Sequence, residues 1–368
     1  MTDFEPASLT VRLGAIAENY RFFQRLAGPA ATAAVVKADG YGLGLKMIAP
    51  ALSGAGADTF FVARLAEGVG LRSLLPHARI YVLDGAPPDA VPALTAHNLT
   101  PVLSSLSQIA AWSKGGGKRD AAIHIDTGMN RLGLPPDELA ILAAEWKTRL
   151  GGVNLVLLMS HLACADDMGP DAGMNRRQLE RFRSSLAMLP PTPASLAASS
   201  GIHLGKDYHF DLVRPGIGLY GAGPPGSKNK AMKNPMKNVV VLTARVLQVR
   251  RIDKGDSVGY AATFHAKRPT MIATVALGYA DGLLRAASNR GMASLNGVAV
   301  PVVGRISMDL TTLDVTAMKT PPRPGDQAEL MGDTVTLADV ADAAGTNEYE
   351  ILTRLSSRVA RRYTDAVQ

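Results

Sequence analysis

A single cysteine, Cys164, occurs in 368 residues, so no disulfide can form within the chain and a reducing cytoplasm is its expected home. Aromatic residues are also scarce, at 5%, so aliphatic side chains must fill most of the core that a hydrophobic content of 47% allows. No apolar run approaches the roughly 20 residues of a membrane span. The best candidate, Val153–Met159, has the length of a strand. The opening MTDFEPASLT carries acidic residues and no apolar stretch, so it lacks the pattern of a signal peptide. Internal repeats and low-complexity tracts are absent. Acidic residues are the minority, 32 against 39 Lys and Arg, which gives a net charge of +7. The basic residues are scattered apart from Lys228, Lys230, Lys233 and Lys237, so neither nucleic acid nor a membrane is an expected partner. A positive excess suits a phosphorylated cofactor or a carboxylate substrate equally well. No metal site is expected.

What the sequence does contain is alternation. Short apolar runs at 33–37, 59–63, 79–83, 100–103, 121–126, 154–160, 193–198 and 210–213 are separated by stretches with helical patterning. Leu179, Phe182, Leu186 and Leu189 fall on one helical face, and Pro136, Asp137 and Glu138 read as the first turn of a helix running to about Leu150. Eight buried strands alternating with helices predict a (β/α)8 barrel; an open doubly wound sheet is the competing α/β assignment. From Gly221 the segment GAGPPGSKNKAMKNPMK reads as a linker. Runs at 238–249, 270–277, 297–303 and 326–331 follow, with few helices before a final one near 347–361. Two domains are therefore expected, a barrel over 1–235 and a mostly β domain over 236–368.

The barrel assignment places Lys37, Arg131, His161, Ser199 and Arg214 at or just after strand ends, on the rim where barrel enzymes carry their active sites. A lysine buried there loses part of its charge and becomes a nucleophile fit for a Schiff base; taken alone, Lys37 also reads as a strand-end lysine with its head in solvent. Ser199-Ser200-Gly201 and Arg214-Pro215-Gly216-Ile217-Gly218 follow the last two strands, where barrels often bind phosphate through backbone N–H groups. Each loop alone also reads as ordinary turn chemistry.

Seven segments, VVKADGYGLG, HIDTGMNRLG, MSHLA, DLVRPGIGLYG, VGYAATF, ALGYADGLLR and VGRISMDL, resemble in order and spacing the motifs of the alanine racemase family, fold-type III enzymes that use pyridoxal 5'-phosphate (PLP). The resemblance runs from about Leu9 to Arg361. It implies a racemase of a small amino acid, most directly alanine, acting as a homodimer with shared active sites. By that resemblance Lys37 carries PLP and is one of two catalytic bases, serving the D-enantiomer. Tyr260 of the other subunit serves the L-enantiomer. A free tyrosine titrates near 10, so Tyr260 needs nearby positive charge, which His161 at the cofactor and Arg131 are placed to supply. Arg214 matches the arginine facing the pyridine nitrogen, which a donor-only guanidinium leaves unprotonated. Tyr41, Ser199, Gly216 and Ile217 match the phosphate contacts. Arg131 and the Met308 amide match groups receiving the substrate carboxylate, Tyr279 matches a tyrosine near the substrate entrance, and Asp309 follows Met308 as the family pattern expects.

Three positions depart from the family pattern. His124 stands where some members have a carbamylated lysine that holds the arginine at 131, so Arg131 must be positioned otherwise. Ala198 replaces a frequent asparagine. Ser357 replaces a pocket tyrosine, which motivates a serine-preferring or broad-specificity racemase as the alternative. A decarboxylase on the same scaffold would oppose a carboxylate, not Arg214, to the ring nitrogen. A non-catalytic PLP carrier would lack the second domain.

Overall fold

The structure is a computed structural model in which residues 5–114, 118–166, 173–224 and 233–365 are described. Lys228 and Lys230 of the expected linker lie outside them. Eight parallel strands form the barrel. The first is split at Ala33 into Ala31–Thr32 and Ala34–Val35; Thr59–Val62, Arg79–Val82, Thr100–Leu103, Arg119–His124, Val153–Met159, Ala194–Ser195 and Leu212–Val213 follow. From Ala34–Val35 to Ala194–Ser195 each neighbouring pair is parallel; a single parallel bridge, Ala198 with Arg214, joins the runs of the seventh and eighth strands, and the ring closes where Leu212 and Val213 pair with Ala31 and Thr32. Strands such as Thr59–Val62 are buried throughout, because one face meets the barrel interior and the other the surrounding helices. This is the (β/α)8 barrel expected from the sequence, not the open sheet.

The helices follow their patterning. Met174–Ala187 buries Leu179 and Phe182, and Phe182 meets Phe210 edge-on at 5.1 Å. Pro136–Arg149 has Asp137 and Glu138 in its first turn and Lys147 and Arg149 in its last, charges that complement the helix dipole at both ends. The seventh and eighth strands are two residues each, shorter than the runs at 193–198 and 210–213. The Asp211 carboxylate explains part of the shortening, since it accepts the Ala194 N–H (2.7 Å) in place of a backbone carbonyl.

The second unit is mostly β. Val240–Ile252, 13 residues long, pairs with Gln327–Met331 and Thr270–Val275. It also pairs antiparallel with Ala7–Arg12, so the first strand of the chain lies in this sheet. Two expectations change here. The helix expected over 347–361 is Glu348–Arg354 only, and Ala360–Thr364 is a strand running parallel to Ala7–Arg12. Leu355 leaves the helix with ψ 116°, and the Ser356 N–H donates to the Asp281 carbonyl (3.0 Å), which turns the chain into the sheet. A helix that the sequence reading passed over, Leu337–Ala344, is nucleated by a capping box: Asp339 N–H donates to Thr336 Oγ1, and Thr336 N–H to the Asp339 carboxylate. Among the described residues, no helix is long and apolar enough to cross a membrane.

Candidate active site

A cavity of about 320 Å³ opens at the C-terminal strand ends of the barrel, within the size range of small-molecule sites. Lys37, Tyr41, Arg131, His161, Ser199 and Arg214 line it, with Gly216 and Ile217. The rim inferred from the sequence is therefore one site.

Lys37 sits where the first strand breaks into a tight turn, Lys37–Tyr41. Ala38, Asp39, Gly40 and Tyr41 have φ of 53°, 55°, 62° and 58°, a left-handed stretch that costs L-residues roughly 1–2 kcal/mol each. Specific bonds hold it. The Ala38 N–H donates to Glu67 Oε1 (2.6 Å), and the Leu45 N–H to Asp39 Oδ1 (2.8 Å). Glu67 Oε2 accepts from the amides of Ala63 and Arg64, which ties this turn to the next strand end. Burial, then the charge of Arg131, lowers the Lys37 pKa and favours the neutral, nucleophilic amine.

Opposite the lysine is a set of uncharged donors. Ser199 Oγ accepts the N–H groups of Gly216 (2.8 Å) and Gly218 (3.1 Å), so its own proton is free to point elsewhere. Glycine at 216 is a steric requirement, because a Cβ there would overlap the Tyr41 hydroxyl. Tyr41 packs on Tyr220 with ring centroids 4.5 Å apart, and burial raises its pKa, so its phenol stays a donor. Amides and hydroxyls converging beside a cationic cavity suit a phosphate.

Arg214, 3% exposed, donates to the carbonyls of Ser160 (2.7 Å) and Leu196 (3.4 Å) and to Ser195 Oγ. None of these is a carboxylate. Burial pulls its pKa down to about 9, which still leaves it charged at neutral pH. Burial first, and the charge of Arg214 second, lower His124 to about 4 and His161 to about 3. Both imidazoles are therefore neutral near pH 7, and the positive field comes from the guanidinium groups of Arg214 and Arg131.

Arg131 lies on a loop whose backbone is held by Asp126. Its carboxylate accepts the N–H groups of Gly128 (2.8 Å), Met129 (2.9 Å) and Asn130 (3.0 Å). Gly133, at φ 111°, brings the loop back so that the Asp126 N–H reaches the Leu134 carbonyl. His124 leaves the guanidinium unheld: among the described residues, Arg131 has no hydrogen bond or ion pair, although the loop beneath it is fixed. A buried amide, Gln178, extends the support by donating to Thr127 Oγ1 and the His161 carbonyl while accepting the Ala163 N–H. Asp126, Glu67, Gln178 and Tyr349, which also lines the cavity, were not singled out from the sequence. Gln178 had a local signal, a polar residue beside Leu179 on the buried helical face.

The remaining predicted residues lie elsewhere. Tyr260, Tyr279 and Met308 are 71%, 42% and 52% exposed, and none lines the cavity. They share one region of the second unit. The Tyr279 N–H donates to the Ser307 carbonyl and the Ala280 N–H to that of Met308, while the turn at Gly259 abuts Arg305. Arg358 joins them by bridging Asp309 (2.8 Å) and Asp281 (3.3 Å), and Ser357 beside it is exposed. Ala198 lines the cavity next to Ser199.

Comparison with known proteins decides the family. The family models described as alanine racemase, N-terminal domain, and alanine racemase, C-terminal domain, match residues 11–224 and 239–363. The chain belongs to the alanine racemase family. It is 48% identical to the alanine racemase of Rhodospirillum rubrum over 368 residues, covering 98% of this chain and 96% of that protein. It is 46% identical to the catabolic alanine racemase of Agrobacterium fabrum, over 96% of this chain and 91% of that one. Among solved structures, it resembles alanine racemase from Bartonella henselae with covalently bound pyridoxal phosphate, at 41% identity and a TM-score of 0.92, covering 97% and 99% of the two chains. Biosynthetic alanine racemase from Pseudomonas aeruginosa matches at 35% identity and a TM-score of 0.91, covering 98% and 100%. The alanine racemase match thus extends over both the cavity and the exposed Tyr260 region.

Proposed function

We propose that this chain is a PLP-dependent alanine racemase. The observation that carries the reading is the convergence of Lys37, Tyr41, Ser199, Gly216, Ile217 and Arg214 on one cavity in a member of this family. The residues fit the cofactor: a lysine with a lowered pKa, the Tyr41 and Ser199 hydroxyls beside the Ile217 backbone for a phosphate, and a buried guanidinium with no carboxylate partner among the described residues. Lys37 would hold PLP, Tyr41, Ser199, Gly216 and Ile217 its phosphate, and Arg214 its ring nitrogen, with His161 alongside. When bound, PLP draws electrons from the substrate's α-carbon and so acidifies its α-proton.

The residues of the chain then do the proton work. Lys37 removes or returns the α-proton on one face. The opposite face needs a second base, and among the described residues no tyrosine other than Tyr41 and Tyr349, both with raised pKa values, lines the cavity. We assign that role to Tyr260 of a second copy of the chain, whose exposed face would close the cavity. Arg131 and the Met308 amide would take the substrate carboxylate, and Tyr279 would stand at the entrance. This makes the enzyme a homodimer with shared sites, the barrel within 1–235 carrying the cofactor and 236–368, whose sheet Ala7–Arg12 joins, completing the partner's site. We place it in the cytoplasm.

The test is racemisation of L-alanine by purified protein, followed by chiral separation, with the visible absorbance of the bound cofactor recorded alongside. Activity and absorbance that both disappear in Lys37→Ala support the reading. A protein that takes up no PLP would overturn it, and a higher kcat/KM for L-serine than for L-alanine would move the substrate assignment.

A further inference from the structure

The turn that presents Lys37 is gripped from behind by the second unit, largely through Arg361. This arginine aims all five of its N–H donors at backbone carbonyls. Nε (3.3 Å) and Nη2 (2.9 Å) reach Gly42, Nη2 also reaches Leu355 (3.0 Å), and Nη1 reaches Ser356 (3.1 Å) and Val359 (3.2 Å). No carboxylate is among the acceptors, so the guanidinium serves as a planar bracket rather than an ion pair. One side of it holds Gly42, the residue that closes the left-handed turn; the other holds the segment between Glu348–Arg354 and the last strand. Two residues on, Tyr363 adds a bond from its hydroxyl to the Leu43 carbonyl (2.9 Å).

Such a hold has a physical reason. A run of positive φ at 38–41 persists only where its surroundings over-determine it. Glu67 constrains the turn from the barrel side at the Ala38 amide, next to Lys37. Arg361 constrains it at the far end, from a strand that pairs with Leu9 in the other unit's sheet.

We propose that Arg361 is a positioning residue for Lys37, fixing the direction in which the lysine enters the cavity. The inference rests on the racemase reading, in which Lys37 moves the α-proton of the D-enantiomer. Lysine at 361 could not replace the fork, since an ammonium has three donors and no planar geometry.

The test uses the holoenzymes of Arg361→Lys, Arg361→Met and, as a control for stability, Val359→Ala, which removes a buried side chain of the same segment and leaves the guanidinium intact. Both Arg361 variants should lose about tenfold to a hundredfold in kcat, the scale of a misplaced reactive group. The primary isotope effect on kcat/KM should rise with α-deuterated D-alanine, because the lysine step has slowed, and fall toward one with α-deuterated L-alanine. Amide hydrogen exchange of the peptide spanning 38–44 should quicken in the Arg361 variants and not in Val359→Ala. Isotope effects unchanged for both enantiomers, or exchange that quickens equally in Val359→Ala, would overturn the proposal. If the racemase reading itself fails, wild-type protein shows no racemisation, while the exchange measurement still tests the bracket.

Discussion

The barrel cavity and the Tyr260 region carry the same kind of family motif but opposite environments. The cavity is complete in its donors: Lys37, Ser199 and Arg214 have their supports within the same chain, down to Glu67, Gly216 and Ser160. The other region presents Tyr260, Tyr279 and Met308 to solvent, on a backbone that is well bonded internally. A protein seldom builds a rigid scaffold under exposed large side chains without a partner for them. On the proposed reading, the first region would hold the cofactor and the second would complete a site in another copy.

Substitutions in the two regions should therefore fail differently. Lys37→Ala should have the largest effect, a loss of at least about 10⁴-fold in racemisation together with the cofactor's visible absorbance, read by activity assay and spectrum. Tyr260→Phe should lose about 10²–10⁴-fold in activity yet keep that absorbance, since it lies outside the cofactor cavity. Equal loss of absorbance in both variants would break the comparison. Gly216→Ala, which drives a methyl group onto the Tyr41 hydroxyl, should weaken PLP binding about 10–100-fold, or roughly 1.4–2.8 kcal/mol, by equilibrium titration.

Acid should act on the cavity too. His124 titrates at about 4 when folded, against an ordinary value of 6.5, so the unfolded chain binds more protons between those values. Stability is thus lost as pH falls from 6.5 toward 4, by an amount on the order of 2–3 kcal/mol. Thermal melts across that window should show a shallower decline for His124→Gln than for wild type. The smallest effect belongs to Thr336→Ala, at a position that does not line the cavity. Loss of its helix cap should cost about 1 kcal/mol and lower the melting temperature by a few degrees, with PLP binding unchanged.

The legible parts of the molecule were those with local signals. Continuous apolar strands bounded by Gly-rich turns gave away the barrel, whose strand ends put Lys37, Ser199 and Arg214 on one rim, and family motifs then attached a cofactor role to each. The helix Leu337–Ala344 was legible in principle, through Thr336 and Asp339, but its short span was passed over within a β-rich stretch. The strand Ala360–Thr364 was not, because its pairing partner, Ala7–Arg12, comes from the other end of the chain. The supports of the site follow the same rule. Glu67 and Arg361 bind backbone groups of a turn distant in sequence, which their own neighbourhoods do not advertise. The left-handed run at 38–41 is equally hidden, since only Gly40 among those four residues suggests positive φ.

Complementation tests the sharing of sites most directly. Lys37→Ala and Tyr260→Phe chains carrying different tags are co-expressed, and the mixed dimers are isolated by both tags and assayed for alanine racemisation. If each cavity takes Tyr260 from the other chain, a mixed dimer has one intact site out of two and should show about half of wild-type activity, while each parent dimer shows almost none. If Lys37 and Tyr260 of the same chain worked together, both sites of the mixed dimer would be broken, and activity no higher than that of the parents would contradict the account.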